Sequence, residues 1–382
     1  MVKTLAQLRP VYVVGVGWHR YQELSATPYV ELGLVAARQA LADAGVAWRD
    51  VDTSYVGTAL LGMASGRPML SHLGENEGSI VHIENASASS SAAFRHACIE
   101  VASGMADVGL VVGVDKPARV EKASTQTGIE DLAADEIVPF THFALLTDAY
   151  MHRFDASIED IARVAVKNHG NGAKNPNAHR QKARTLEEIL KGRPISGRLT
   201  SLQCCPVGEG GAAVVIASED GIRRLGLDPS RAVRVAASAA ISEVVYPAGV
   251  GFDAELTRRV SAMALAQAGA QPKDLDVIEL HDAFTVEELH YVEAMGLCGP
   301  GEAVRMLKDG ALDIGGAVAV NPSGGLIAMG HPIGPTGVGQ IGEIAMQLRG
   351  EAGARQQPNA KLGLAHMVGL GAVAYAHVLR RD

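Results

Sequence analysis

The chain has 382 residues, 47% of them hydrophobic, with 34 basic against 42 acidic side chains for a net charge of −8, and only four cysteines. The acid excess argues against a nucleic-acid coat or a membrane-surface protein, and no apolar run approaches the roughly 20 residues that span a bilayer. Cysteines this few, with no CxxC pair, predict neither a disulfide framework nor a metal site; the opening MVKTLAQLRP lacks the apolar core of a signal peptide and predicts a cytoplasmic protein.

A first apolar strand is predicted at 11–17 (VYVVGVG), followed by an Ala/Leu-rich helix and a second strand around Ser54–Val56. The run Ile83 to Ser91 (IENASASSS) then leads into a helix near 92–103. Small residues at such a turn can expose a side chain, here Ser87, at a helix N-terminus where the dipole favours an anion or a developing oxyanion. A plain Ser-rich cap would read the same way. GLVVGV at 109–114 and AAVVIAS at 212–218 read as core strands. Between them, about 115–205 breaks the rhythm, being richer in His, Asn and Arg. Capping boxes at Ser157/Asp160 and Thr185/Glu188 announce helices there. The segment reads as an excursion of the kind that covers a ligand.

The second half opens with a strand at 233–241 and repeats the first. Residues 31–52 and 255–276 align without a gap at an offset of 224, nine of 22 positions being identical, Gly45/Gly269, Asp50/Asp274 and Asp52/Asp276 among them. Glycine past a helix end takes the left-handed conformation cheaply. A duplication follows, with one half at 1–230, including the excursion, and the other at 231–382. Continuous apolar strands alternating with helices predict buried, largely parallel sheets of the α/β class. The strand DVIEL precedes His281-Asp282-Ala283-Phe284 and a helix at 285–297. A His at a strand's C-terminal end lies where open α/β sheets place active sites, or is bonded to backbone. Strands are predicted at 315–320 and within 362–379. Between these lie Asn321-Pro322-Ser323-Gly324-Gly325 and Gly330-His331-Pro332-Ile333-Gly334. Glycines around His331 allow close approach of backbone and substrate, and His is suited to moving a proton near neutral pH.

Taken together, ENASASSSAAFR, DVGLVVGVDK, KNHGNGAKNP, CCPVGEGGAAVV, HDAF, NPSGGLIAMGHPIGPTG and HMVGLGA resemble the thiolase superfamily, most closely its sterol-carrier-protein type. The resemblance runs over nearly the whole chain. It implies a duplicated five-layered αβαβα fold with an inserted loop domain, an acyl-CoA substrate and no covalently bound cofactor. It also implies a homodimer or higher oligomer. The family's nucleophile is a Cys in an ENACASGS run; the GHP histidine activates it and helps hold the thioester oxygen, the HDCF histidine orders a second part of that oxyanion hole, and the Cys of HDCF is the acid/base. Carried over, His331 and His281 are present, Asn321 is the supporting Asn, and Gly369 lies in a terminal loop that would donate an N–H. Lys167, Arg180, Lys182 and Arg184 of the excursion would meet CoA phosphates, or form a solvated charge run.

Two positions depart from the pattern. Ser87 stands where the family has its nucleophile, Ala283 stands for the second Cys, and Cys98, Cys204, Cys205 and Cys298 replace neither. A hydroxyl is a far poorer nucleophile than a thiol that is readily drawn to thiolate. The expectation is an enzyme that makes or breaks a carbon–carbon bond in a CoA thioester, with ordinary thiolysis in doubt. Three explanations stay open. One is a retro-aldolase on a branched 3-hydroxyacyl-CoA, with His281, His290 or Tyr291 as acid/base and a small OB-fold, zinc-ribbon partner. The others are an engineered Ser87 and a non-catalytic acyl-CoA binder.

Overall fold

The computed structural model describes residues 3–117, 139–242, 252–369 and 373–381. Residues 118–138 of the excursion and 370–372 of HMVGLGA lie outside the described residues.

Among the described residues ten strands form one sheet: β1 (Val11–Gln22), β2 (Thr53–Gly57), β3 (Ser79–Ile83), β4 (Val108–Asp115), β7 (Glu209–Ser218), β8 (Val233–Ser242), β9 (Val277–Glu279), β10 (Ala319–Val320), β11 (Leu362–Gly369) and β12 (Val373–Arg380). A separate pair, β5 (Pro194–Ser196) and β6 (Leu199–Thr200), belongs to the excursion. The sheet order is β10-β9-β11-β12-β8-β1-β7-β4-β2-β3. Read outward from the centre, β1-β7-β4-β2-β3 and β8-β12-β11-β9-β10 are the same arrangement of first, fifth, fourth, second and third strands. The two wings meet through a short antiparallel contact, Tyr12 opposite Arg234 and Val13 opposite Val233.

The repeat at offset 224 has a physical content in this arrangement. The helices Tyr29–Ala44 and Phe252–Ala268 both stop at a left-handed glycine, Gly45 (φ 69°) and Gly269 (φ 63°). One turn of 3-10 helix follows each, at Trp48–Asp50 and Pro272–Asp274. Asp52 Oδ2 then accepts from Asp107 N and Val108 N, both at 2.8 Å, at the start of β4. Asp276 Oδ2 does the same for Lys361 N and Leu362 N, at 2.8 and 3.0 Å, at the start of β11. Each aspartate thus ties its strand to the neighbour it must pair with. Replacing either with alanine should cost about 1–3 kcal/mol, the range for charge-assisted bonds to backbone. The two losses should add, since they lie in different wings. Urea denaturation of D52A, D276A and the double variant measures this.

Helices on both faces bury the sheet and create the layers. Leu32, Ala36 and Ala40 of the Tyr29–Ala44 helix pack on Val112, Val114 and Val215. Between the wings, Phe94 and Val101 of the helix Ser89–Ser103 share a cluster with Ile341 and Ile344 of the helix Thr336–Arg349, against Val13, Val214 and Leu379. Beyond the second wing, Leu256, Val260 and Leu289 pack with Ile278, Leu364 and Val378, and Ile161 of the excursion joins them. The order helix, sheet, helix, sheet, helix is a five-layered αβαβα architecture. The excursion contributes the helices Pro139–Phe154, Ile158–Gly172 and Leu186–Leu190, and both expected capping boxes are formed.

Three expectations need correction. The sheet is mixed: among the described strands β2 pairs in parallel with β3 and β4, and β9 with β10 and β11, while β1–β7, β4–β7, β8–β12 and β11–β12 are antiparallel. Continuous apolar runs report burial on both faces, which the helix layers supply, and not strand direction. The strand expected at 315–320 shrinks to Ala319–Val320, because Gly316 N and Val318 N bond locally to Asp313 O and Ala311 O. The helix expected near 92–103 begins at Ser89. Among the described residues no helix is long and apolar enough to cross a membrane.

Candidate active site

The turn between β3 and the Ser89–Ser103 helix is tight enough to force Ala86 to φ 49°. A non-glycine residue pays about 1–2 kcal/mol for that conformation. The turn is held by Ser89 Oγ, which donates to Ala86 O at 2.6 Å and accepts from Asn85 N at 2.8 Å. Ser90 Oγ accepts from Val338 N at 2.9 Å, fixing the turn to the other central helix. The serine run is therefore largely structural, except for Ser87. Its hydroxyl stands at the head of the helix, 3.1 Å from His331 Nε2.

His331 is delivered by a loop that lies against β4. Gly334 N donates to the buried Asp115 at 2.7 Å. A Cβ on Gly113 would come within 2.4 Å of Pro335 Cα, so that strand position must be glycine for the loop to approach. The loop holds Gly330 at φ 110° and the β-branched Ile333 at φ 62°, backbone strain of the kind found at functional sites. His331 Nδ1 lies 2.8 Å from Thr336 Oγ1, a neutral hydroxyl. Loss of solvent first, and the His281 imidazole second, hold His331 well below the usual imidazole range.

His281 follows β9, and its ring lies 5.5 Å from that of His331, nearly perpendicular at 85°. Its Nδ1 is 2.9 Å from Glu287 Oε1. The segments carrying the two histidines are cross-bonded. Glu279 accepts from Ser323 N and Oγ at 2.8 and 2.7 Å. Asn321 Oδ1 accepts from Leu280 N at 2.9 Å, and Asp282 Oδ1 from Leu326 N at 2.6 Å. HDAF and NPSGG thus form one unit. Ser87, His281 and His331 are brought together.

Other expected residues are placed elsewhere. Asn321 is fully buried, its amide oxygen accepting from Leu280 N and its amide nitrogen donating to Glu288 Oε2, both at 2.9 Å, so it braces the two segments. Gly369 closes strand β11 instead of lying in a loop, yet it stays beside the Ser87 turn: a Cβ built on it would lie 2.7 Å from Asn85 O and 3.4 Å from Ala88 Cβ, on either side of Ser87. Tyr291 is buried behind His281 and donates to Glu287 Oε1 at 3.1 Å. His290 packs edge-on against Tyr150 with centroids 4.9 Å apart. Lys167 pairs with Glu288 at 3.1 Å, both side chains at or below 5% exposure. Arg180 donates to the carbonyls of Cys204, Ile327 and Ser201 at 2.8–3.0 Å. Those two cations are turned inward because carbonyls and a carboxylate distant in sequence receive them. Lys182 and Arg184 lie nearer the surface around Glu188.

No thiol takes over from Ser87. Burial pushes the Cys204 and Cys298 thiols up to about 12 and raises Cys98 and Cys205 as well. Sequence reasoning missed Glu287, Thr336 and His366. Glu287 sits three residues after Phe284, a helix-capping spacing that masks its bond to His281. His366 lies behind Tyr291, ring centroids 5.2 Å apart, and burial lowers it to about 3.

The thiolase N-terminal domain model matches residues 16–186 and the thiolase C-terminal domain-like model matches residues 252–381. Sterol carrier protein 2 of Oryctolagus cuniculus is 34% identical over 97% of this chain and 72% of that protein. A benzoylsuccinyl-CoA thiolase subunit of Thauera aromatica is 32% identical over 95% of each chain. Among solved structures, an Ltp2-ChsH2(DUF35) aldolase superposes with a TM-score of 0.82 at 26% identity, covering 98% of both chains.

Proposed function

The chain belongs to the thiolase family, and from that membership we propose that it acts on a CoA thioester, cleaving or forming the C2–C3 bond of the acyl chain through an enolate of the thioester, without an acyl-enzyme. The observation that carries this reading is the chain Ser87–His331–Thr336. A serine nucleophile needs a base whose developing positive charge is held by a carboxylate. His331 has only a threonine hydroxyl on its second nitrogen and is biased to the neutral form. It is suited to donate a hydrogen bond to a thioester oxygen and unsuited to activate Ser87.

The retro-aldol direction fits these parts. His281 takes the proton of the C3 hydroxyl; the C2–C3 bond breaks, and its electron pair moves into the thioester as an enolate. The ketone departs. His331, with the dipole of the 15-residue Ser89–Ser103 helix, stabilises the enolate oxygen. His281 then returns the proton to C2, giving a shortened acyl-CoA, with no oxidant or reductant consumed. Tyr291 and His290 are not required in these steps.

The likeness to the Ltp2-ChsH2(DUF35) aldolase supports a small OB-fold, zinc-ribbon partner beside this chain. Two halves meeting at residues 230/231, a homodimer or larger oligomer, a cytoplasmic setting and contacts from Lys182 and Arg184 to CoA phosphates complete the proposal. The test offers the protein, with and without such a partner, a branched 3-hydroxyacyl-CoA in one assay and a 3-ketoacyl-CoA plus free CoA in another. Ketone release in the first without thiolysis in the second is expected; thiolysis as the faster reaction would overturn it.

A further inference from the structure

The two imidazoles of the site differ in what stands behind them. Glu287 is fully buried, and both of its oxygens are engaged. Oε2 accepts from Phe284 N at 2.8 Å, while Oε1 receives His281 Nδ1 at 2.9 Å and Tyr291 OH at 3.1 Å. A carboxylate tethered at both ends cannot swing away from the ring it supports. Because a carboxylate only accepts, a neutral His281 carries its proton on Nδ1 and keeps its lone pair on Nε2. Thr336, by contrast, can donate to His331 Nδ1 or accept from it, and adds no charge.

We infer that Glu287 is a positioning residue that makes His281 the base of this site, giving a His281–Glu287 dyad the proton-transfer role that a thiol at position 283 would otherwise hold. Ala283 has no group to move a proton, and Cys205, whose backbone N–H bonds to Ala283 O at 2.8 Å, has its thiol raised by burial. The dyad also divides the labour between the histidines. Once His281 is protonated, its charge disfavours a second proton on His331, so one ring shuttles the proton while the other stays a neutral donor. Tyr291 is the third member, and its hydroxyl on Oε1 helps aim the carboxylate.

The assignment rests on the enolate reading for its chemistry, but its test has a readout that needs no turnover. Histidine-selective 15N NMR of the resting protein, with His281 assigned by loss of its signals in H281N, should report a single Nδ1–H tautomer. Glu287→Gln keeps the shape but can either accept or donate, so the His281 signal should become a mixture of tautomers. On a 3-hydroxyacyl-CoA, E287Q should lose about 10²–10⁴ in kcat, the range of a general base, with KM within about threefold. Glu287→Asp should recover part of the loss, and Tyr291→Phe should keep the tautomer. An unaltered His281 tautomer in folded E287Q, or unaltered kcat, would overturn the dyad. If the wild type cleaves no 3-hydroxyacyl-CoA, the enolate reading falls while the tautomer still decides the role of Glu287.

Discussion

Ser87→Ala should keep carbon–carbon cleavage within about tenfold of wild type, whereas His331→Ala should lower kcat by about 10²–10³, the loss seen when one donor to a developing oxyanion is removed. The asymmetry follows from the hydrogen bonds. If Ser87 were a nucleophile, its loss would be at least as damaging as that of its base, since members of such a relay act as a unit. Here Ser87 Oγ only shares a bond of 3.1 Å with His331 Nε2, and its removal leaves the bond to Thr336 in place. Ser87→Cys should likewise fail to produce thiolysis, because the burial that keeps His331 neutral also disfavours the thiolate–imidazolium pair a cysteine nucleophile needs. Mass spectrometry after mixing with a 3-ketoacyl-CoA completes the test. A covalent acyl adduct on Ser87, together with a loss beyond 10³ in the alanine variant, would install an acyl-enzyme mechanism instead.

How far the sequence revealed this site depended on how local each feature was. The duplication was legible because its cause is local: a glycine in the left-handed region and an aspartate bonded to two backbone N–H groups recur at Gly45/Gly269 and Asp52/Asp276. Ser87, His281 and His331 were legible because each stands in a short run of unusual composition at a strand-to-helix turn. Their proximity was not, since Ser87 and His331 are 244 residues apart and meet only when the two central helices pack. Glu287 was hidden by doing two things at once: its bond to Phe284 N is an ordinary cap, and its other oxygen holds His281. Strand direction escaped the reading because a strand buried on both faces looks alike in either orientation.

The cations of the excursion were the least legible feature, and Lys167 gives the sharpest consequence. Its ammonium has three protons. They are directed to Asn168 Oδ1 and Val320 O, each at 2.6 Å, and to the Glu288 carboxylate. None remains for a phosphate. Lys167→Met should therefore cost about 3–5 kcal/mol of stability, because it strands the buried Glu288. That carboxylate also accepts from Asn168 and Asn321, at 3.0 and 2.9 Å, so the loss should loosen the NPSGG turn. The charge, not the missing contact area, is the cause. The double variant K167M/E288Q, which neutralises the stranded partner while keeping an acceptor for both asparagines, should recover more than half of the loss. Guanidinium unfolding of wild type, both single variants and the double variant closes the cycle. The KM for a CoA thioester in K167M, measured where the variant is folded, should stay within about threefold of wild type. A stable K167M with KM raised more than tenfold would return Lys167 to the CoA-binding surface; a destabilised one rescued by E288Q fixes it as the buried brace beneath Asn321.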